Sequence, residues 1–237
     1  MKVTVRSFIG SRMVAVSVAL ACAGFLSACA QDNTPVKTGN YTAKIKLACV
    51  GDSITQGVGA GGGHSWPDQL RKLLGEKWEV KNFGVSGTTL MKSGDSPYQK
   101  QGAFNGAKAL NPDVVVIMLG TNDTKPQNWK NFKQDFAADY KDMVKQFAAL
   151  PSKPRIFVCR PPYIARTGNW GINNSNTLEE IPVIDQVAKE LQLGVIDVYA
   201  ALQGKDHLIP DNVHPNGGGA TAIAQAVFKA LTGKSAP

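Results

Sequence analysis

The chain has 237 residues and is 43% hydrophobic, and its 26 basic and 18 acidic residues give a formal net charge of +8. This length and apolar content suit one α/β domain with a large core better than two domains. The basic residues are scattered and form no Arg-rich cluster interleaved with aromatic residues, which argues against a nucleic-acid partner.

The first 28 residues have the composition of a signal peptide. Lys2, Arg6 and Arg12 precede an apolar run from Met13 to Leu26, which is shorter than a membrane-spanning helix needs. The run ends in Leu26-Ser27-Ala28-Cys29, which resembles a bacterial lipobox.

The lipobox resemblance implies cleavage before Cys29, lipidation of that residue and a lipid anchor in the bacterial cell envelope, facing the periplasm or the cell surface. Ordinary secretion with cleavage near Ala30 is the alternative. We expect residues 29–43 to form a polar tether and residues 44–237 to form the folded domain.

Five apolar runs alternate with helical patterns along the rest of the chain. This alternation predicts a doubly wound parallel sheet between two helical layers, a three-layer α/β/α fold, and we expect the flavodoxin-like strand order 2-1-3-4-5. That order would separate Cys49 from Cys159 and leave both as buried free thiols, a disulfide being the alternative. The predicted strands are Ile45–Val50, Trp78–Asn82, Val114–Leu119, Arg155–Cys159 and Gly194–Val198.

Four helical patterns are clear in the sequence. The first follows Ser65, which can cap it, and the second runs from about Asn128 to Ala149 with a continuous aromatic stripe. The third lies around residues 177–192, where Pro182 leaves its start open because an interior proline removes a backbone hydrogen bond. The last opens near Asn216.

The carboxyl ends of the predicted strands carry the chemistry. Ser53 follows the first strand, at the edge of an open parallel sheet where ligands bind. A serine nucleophile needs a base, and the base needs an orienting group. The candidates for the base are His64, His207 and His214, and Asp211 stands three residues before the last of these. No Cys/His spacing typical of a zinc site occurs, so we expect no metal.

Four segments resemble the four motif blocks of the SGNH hydrolases, the GDSL esterase/lipase family, and the resemblance covers roughly residues 45–232. It implies that Ser53 is the nucleophile, His214 the base and Asp211 the orienting residue, with no cofactor. It also implies that the backbone N–H groups of Ser53 and Gly84 and the side-chain amide of Asn122 hold the oxyanion. The segments are Cys49–Gly57, Asn82–Gly87, Gly120–Asp123 and Asp211–Pro215.

Several neighbours of these residues are expected to support the loops rather than to take part in the reaction. They are Asp52, Thr55, Gly87 and Asp123.

Two irregular segments, residues 57–63 and about 161–175, lie where a substrate would enter. His64 and Trp66 follow the first segment, and Tyr163 and Trp170 belong to the second. Aromatic side chains at the mouth of a site suit stacking on sugar rings, so these four residues are our candidates for substrate contact. The alternative is that Trp66 and Trp170 only fix their own loops.

The motif blocks look most like those of bacterial carbohydrate O-acetylesterases within the family. We therefore expect a serine esterase that removes short acyl groups, acetyl above all, from carbohydrate through an acyl-Ser53 intermediate. The alternatives are a lysophospholipase or general short-chain carboxylesterase and, in another class, a non-catalytic glycan-binding lipoprotein, which should have lost Ser53 or His214. The sequence leaves the oligomeric state open.

Overall fold

The computed structural model describes residues 34–237, so the predicted signal peptide and Cys29 lie outside the described residues. The five strands form one parallel sheet in the order β2-β1-β3-β4-β5, which confirms the predicted topology. The strands are β1 (Ile45–Gly51), β2 (Trp78–Gly84), β3 (Val114–Met118), β4 (Arg155–Arg160) and β5 (Gly194–Asp197).

Eight helices accompany the sheet within the described residues. They are α1 (Ser53–Gln56), α2 (Trp66–Leu74), α3 (Gly102–Ala109), α4 (Pro126–Phe132), α5 (Phe136–Ala148), α6 (Asn174–Leu191), α7 (Val198–Leu202) and α8 (Gly217–Thr232).

Two apolar layers enclose the sheet because successive strand residues point to opposite faces. Leu47 and Cys49 of β1 pack with helices α2, α7 and α8, whereas Ala48 and Val50 pack with α3, α4, α5 and α6. Every residue of β3 is buried, as its uninterrupted apolar sequence predicts for a central strand. This is the three-layer α/β/α arrangement expected from the sequence.

The cysteines behave as expected. Cys49 and Cys159 are both buried free thiols on the same side of the sheet. Burial, the largest cause, raises the pKa of both thiols, which therefore stay protonated and unreactive.

The helices depart from the sequence prediction in four places. The aromatic stripe predicted as one helix is divided, because Phe132 leaves helical geometry with φ −131° and ψ 3° between α4 and α5. Helix α6 starts at Asn174 and continues through Pro182. The carbonyl of Leu178 loses its partner there, but that residue is exposed and water can take the bond. Two short helices were not predicted. One is the Gly-rich α3, and the other is α7, whose first residue, Val198, was assigned to the fifth strand.

The packed part of the chain begins before residue 44, where we expected the domain to start. Val36 is buried among the side chains that cover one face of the sheet, and its N–H donates to the carbonyl of Leu231 at 2.7 Å. This contact lies at the amino ends of the strands, opposite the edge that carries Ser53. Among residues 34–237, no helix has the length and hydropathy of a membrane span.

Candidate active site

Four loops meet at the carboxyl edge of the sheet. Ser53 follows β1, residues 85–88 follow β2, Asn122 follows β3, and Asp211 and His214 lie in the segment before α8. These are the four motif segments that the sequence analysis singled out. The structure therefore brings together residues that are far apart in the chain.

Ser53 occupies the first position of the short helix α1. Asp52 caps this helix by accepting a hydrogen bond from the N–H of Ile54 at 2.9 Å, which confirms the turn-fixing role expected of it. Burial, the largest cause, raises the pKa of Asp52 to about 6, although that hydrogen bond opposes the rise. Ser53 itself is only 5% exposed.

His214 connects Ser53 to Asp211. Its Nε2 lies 3.0 Å from Oγ of Ser53, and its Nδ1 lies 2.6 Å from Oδ2 of Asp211. A carboxylate beside Nδ1 holds the proton on that nitrogen and leaves the lone pair of Nε2 directed at the serine hydroxyl. The arrangement can accept a proton from Ser53 without any movement of the ring.

Asp211 is held by its own loop. Its Oδ1 accepts the N–H of Val213 at 3.0 Å and the N–H of His214 at 2.6 Å. Burial alone would raise the pKa of Asp211, but the hydrogen bonds from His214 and Val213 outweigh it and lower that pKa below its ordinary value. Asp211 therefore stays ionised to a lower pH than an ordinary aspartate, and its carboxylate can hold the Nδ1 proton of His214.

Gly84 does not have the free N–H group that the family resemblance implied. Its N–H donates to Oδ1 of Asn82 at 2.8 Å, and a side chain at this position would overlap the backbone nitrogen of Gln56. The glycine is thus required by close packing of β2 against α1, and its donor is already used. The expectation that Gly84 faces the oxyanion is wrong for this conformation.

Gly87 is the residue of this loop with a free donor. Its neighbours are tied on both sides, because Ser86 N–H donates to Oε1 of Gln56 at 2.9 Å and Asn122 Nδ2 donates to the carbonyl of Thr88 at 3.1 Å. Gly87 itself has φ +80°, and no atom lies within 4 Å of where a Cβ would stand. Within residues 34–237 its N–H has no acceptor, and the bonds of its neighbours place Gly87 between α1 and Asn122.

The sequence analysis had set Gly87 aside as scaffolding. The signal available was the Ser-Gly pair after β2, which is as typical of a turn as of a donor.

Asn122 is buried and its orientation is fixed from three directions. Besides its bond to Thr88, its Nδ2 lies 3.5 Å from Oδ2 of Asp52, and its backbone carbonyl accepts the side chain of Asn128 at 2.9 Å. Nδ2 carries two hydrogens, and the bond to Thr88 uses one of them. The other points toward the Asp52–Ser53 turn, where a developing oxyanion would compete for it with a weakly bonded carboxylate.

Two buried carboxyl groups lie behind the site and differ sharply in their partners. Asp123 accepts the N–H groups of Leu90 and Met91 at 2.8 Å each, as the supporting residue we expected. Glu180 of α6 is fully buried next to Gly120, and among the described residues neither of its carboxyl oxygens has a hydrogen-bond partner. Burial raises the pKa of Asp123 to about 7, and burial, followed by the nearby Asp123, raises that of Glu180 well above its usual value.

The four candidates for substrate contact fall into different environments. Trp66 is completely buried in the core, and its indole donates to Oγ1 of Thr55 at 3.2 Å, so its placement at the mouth of the site is wrong. His64 is exposed on the loop after α1. Tyr163 is half-buried and packs edge to face on Tyr199 with ring centroids 5.7 Å apart. Trp170 is 67% exposed.

No group of three or more His, Cys, Asp or Glu residues in the described chain is placed to hold a metal ion.

The sequence profile of the GDSL-like Lipase/Acylhydrolase family matches residues 49–222 of this chain, most of the described domain. That range includes all four site loops.

Proteins similar in sequence to this chain include an acetylxylan esterase of Xylanibacter ruminicola. It is 38% identical to this chain over 208 residues, and the match takes in 79% of this chain but only 43% of the relative. The chain thus corresponds to less than half of that protein.

Solved structures share the fold at lower identity. A carbohydrate acetylesterase from Sinorhizobium meliloti is 20% identical with a TM-score of 0.64, covering 79% of this chain and 98% of its own. The aryl esterase of M. smegmatis is 20% identical with a TM-score of 0.63 and the same two coverages. These neighbours agree with the observed sheet order and layers.

Proposed function

This chain belongs to the GDSL-like lipase/acylhydrolase family, a family of carboxylic ester hydrolases, and we propose that it removes acetyl groups from carbohydrate. The observation that carries the proposal is the line of three side chains in which Nε2 of His214 lies 3.0 Å from Ser53 Oγ and Nδ1 lies 2.6 Å from Asp211. A nucleophile, a base and an orienting carboxylate in this geometry suit acyl transfer.

In the proposed reaction, Ser53 Oγ forms a bond to the ester carbonyl carbon while its proton passes to Nε2 of His214. The tetrahedral intermediate collapses, the C–O bond to the sugar breaks, and His214 returns the proton to the leaving sugar hydroxyl. Water then attacks the acetyl-Ser53 ester by the same route and releases acetate. Asp211 keeps the imidazole oriented and stabilises its positive charge in both halves.

The negative charge on the carbonyl oxygen needs hydrogen-bond donors in place before the reaction. We assign this role to the N–H groups of Ser53 and Gly87 and to the side-chain amide of Asn122. Neither backbone N–H has an acceptor among residues 34–237, and Asn122 reaches toward the same turn. Gly84, the donor implied by the family resemblance, is replaced here by Gly87.

Two observations support a small acyl group on a sugar. Ser53 and His214 are only 5% and 9% exposed, which leaves little room for a long chain beside the nucleophile. The relative from Xylanibacter ruminicola, an acetylxylan esterase, is 38% identical over 79% of this chain. Acetylated xylan or its oligosaccharides are therefore the substrates to try first.

The test compares acetate release from acetylated xylan by the parent protein and by Ser53→Ala, with Ser235→Ala on the exposed C-terminal segment as the matched control. We expect Ser53→Ala to lose nearly all activity and the control to retain it. Activity of Ser53→Ala within tenfold of the parent would overturn the assignment of the nucleophile. p-Nitrophenyl esters of rising chain length separate acetyl preference from a lysophospholipase or a general carboxylesterase.

A further inference from the structure

Trp170 differs from every other tryptophan of the protein. Trp66, Trp78 and Trp129 are at most 5% exposed, whereas Trp170 is 67% exposed. The indole of Trp129 donates to Glu179 and that of Trp66 to Thr55, but within residues 34–237 the ring of Trp170 makes no hydrogen bond or ring contact. A large apolar side chain is thus left in water without a structural task in the isolated protein.

The backbone of Trp170 is held in an unfavourable conformation. Its φ of +58° and ψ of 19° lie in the left-handed region, which a bulky side chain rarely adopts. Such outliers persist where the surroundings impose them, and they cluster at ligand sites. Here the strain accompanies a short 3₁₀ turn, Asn169–Gly171, that presents the ring to solvent instead of folding it onto the protein.

The turn is attached to the two loops that carry the active site. On one side, a side chain at Gly168 would overlap Cγ2 of Val213, the residue before His214, and Val213 packs with Ile164 and Ile172 of the same segment. On the other side, Gly171 lies against Pro126, with a Cβ position 2.8 Å from its Cδ.

Pro126 begins α4, the helix that follows the Asn122 loop. Trp170 therefore stands between the His214 loop and the Asn122 loop, at the rim of the site.

From this placement we propose that Trp170 is a stacking platform for a sugar ring of the glycan whose acetyl group reaches Ser53. The inference rests on the proposed function and names a binding subsite for it. The C–H face of a pyranose ring is apolar and flat, and it matches the face of an indole. The hydroxyl groups at the ring edge stay in water, which suits a platform that is open on one side.

An exposed tryptophan also suits insertion into a membrane surface, but the position of Trp170 argues against a membrane contact. The first described residues reach the domain at the amino ends of the strands, where Val36 bonds to Leu231. Trp170 lies at the opposite edge, with the nucleophile. Insertion of Trp170 into a bilayer would press the entrance of the site against the lipid and exclude a polymeric glycan.

The decisive variant is Trp170→Asn, because asparagine adopts the left-handed conformation readily and so preserves the turn while removing the platform. Trp170→Phe keeps an aromatic face. Leu178→Ala, which trims another exposed apolar side chain on α6, is the matched control. The measurements are KM and kcat on acetylated xylooligosaccharides and on p-nitrophenyl acetate, which has no sugar.

We expect Trp170→Asn to raise KM for the oligosaccharides by about fivefold to tenfold, the range for loss of one stacking contact. Activity on p-nitrophenyl acetate should stay within about twofold, Trp170→Phe should recover most of the loss, and Leu178→Ala should behave as the parent. Unchanged KM and kcat on the oligosaccharides, or equal losses of activity on both substrates, would overturn the proposal that Trp170 is a stacking platform.

Two fluorescence measurements separate sugar stacking on Trp170 from contact with a membrane. Deacetylated xylooligosaccharide should quench the fluorescence of Ser53→Ala protein through Trp170, and the quench should vanish in Ser53→Ala combined with Trp170→Asn. A blue shift with anionic phospholipid vesicles, and none with sugar, would instead indicate a membrane contact and overturn the proposal. Failure of the proposed function has a different signature, since the parent would then release no acetate from the acetylated xylooligosaccharides, or Ser53→Ala would hydrolyse p-nitrophenyl acetate as the parent does.

Discussion

Nε2 of His214 and Oγ of Ser53 lie 3.0 Å apart although 161 positions separate the two residues in the chain. The contact depends on β1 and the segment before α8 reaching the same edge of the sheet. Because the two groups act as a unit in one proton transfer, their removal should not be additive. We expect Ser53→Ala, His214→Ala and the double variant to lose about the same factor in kcat on p-nitrophenyl acetate. A double variant far below either single one would contradict a shared step.

Asp211→Asn tests the orienting carboxylate. The amide cannot accept the N–H bonds and hold the Nδ1 proton as the carboxylate does, so kcat should fall by about 10²–10⁴-fold. Asp206→Asn, an exposed neighbour, is the control and should be unaffected.

The pH dependence of stability checks the same residue. Hydrogen bonds lower the pKa of Asp211 in the folded state, so its contribution is present above the ordinary aspartate pKa and is lost as pH falls through the lowered one. We expect Asp211→Asn to melt below the parent at pH 7 and the difference to shrink below about pH 4. A constant difference across that range would exclude a stabilised carboxylate.

Gly84 and Gly87 should respond differently to alanine. At Gly87 the added methyl group meets no atom within 4 Å, but φ +80° is strained for alanine, and relaxation would turn the N–H away. Gly87→Ala should therefore stay folded and lose about 10²-fold in kcat, the typical cost of one oxyanion donor. Gly84→Ala should instead lower the melting temperature, because its methyl group would overlap Gln56. The assignment of Gly87 fails if its variant melts lower but keeps full kcat.

Glu180→Gln should stabilise the protein more at high pH than at low pH. Burial raises the pKa of Glu180, so the folded state keeps a proton that the unfolded chain releases as pH rises above about 4.3. The unfolded state then binds fewer protons, and the free energy of unfolding falls with rising pH.

Removing the carboxyl group abolishes this penalty. The change in melting temperature caused by Glu180→Gln should be more favourable at pH 8 than at pH 5 by at least about 2 °C. Glu76→Gln, at an exposed position, is the control and should show no such difference. Equal effects of Glu180→Gln at the two pH values would show that the group ionises normally.

The anchor predicted from the first residues is tested in cells. We propose that the bacterial host lipidates Cys29 and holds the protein in the cell envelope. Growth with an alkyne fatty acid should label the parent protein and leave Cys29→Ser unlabelled, with Cys22→Ser as the control. Labelling of Cys29→Ser, or none of the parent, would favour ordinary secretion near Ala30.

The sequence was sufficient for the features that local patterns determine. Alternating apolar runs predicted a parallel sheet between two helical layers, and the expected flavodoxin-like order proved correct. The resemblance of the four motif segments to those of the SGNH hydrolases placed Ser53, His214 and Asp211 at one edge. The sequence was insufficient where the conformation of one side chain determines whether a backbone donor is free. Oδ1 of Asn82 takes the N–H of Gly84, and nothing in the Asn-Phe-Gly sequence distinguishes this turn from one that leaves the donor free.

The break between α4 and α5 and the burial of Trp66 show that sequence patterns also left part of the packing undetermined. The aromatic pattern continues across the break between helices α4 and α5 at Phe132. Periodicity indicates which side of a helix is buried but does not indicate whether the helix is continuous. Trp66 follows the nucleophile loop in sequence, but its large apolar surface draws it into the core. Trp170 has an equally apolar ring, and only the structure shows that its turn keeps it outside.

The burial of both thiols has a practical consequence for work on this protein. Since Cys49 and Cys159 are shielded and unpaired, the domain should fold equally well in a reducing cytoplasm and should melt at the same temperature with or without dithiothreitol. A cysteine introduced in place of exposed Val58 would be the one accessible thiol of residues 34–237. A fluorophore attached there would report on the loop beside His214 without background labelling of the core.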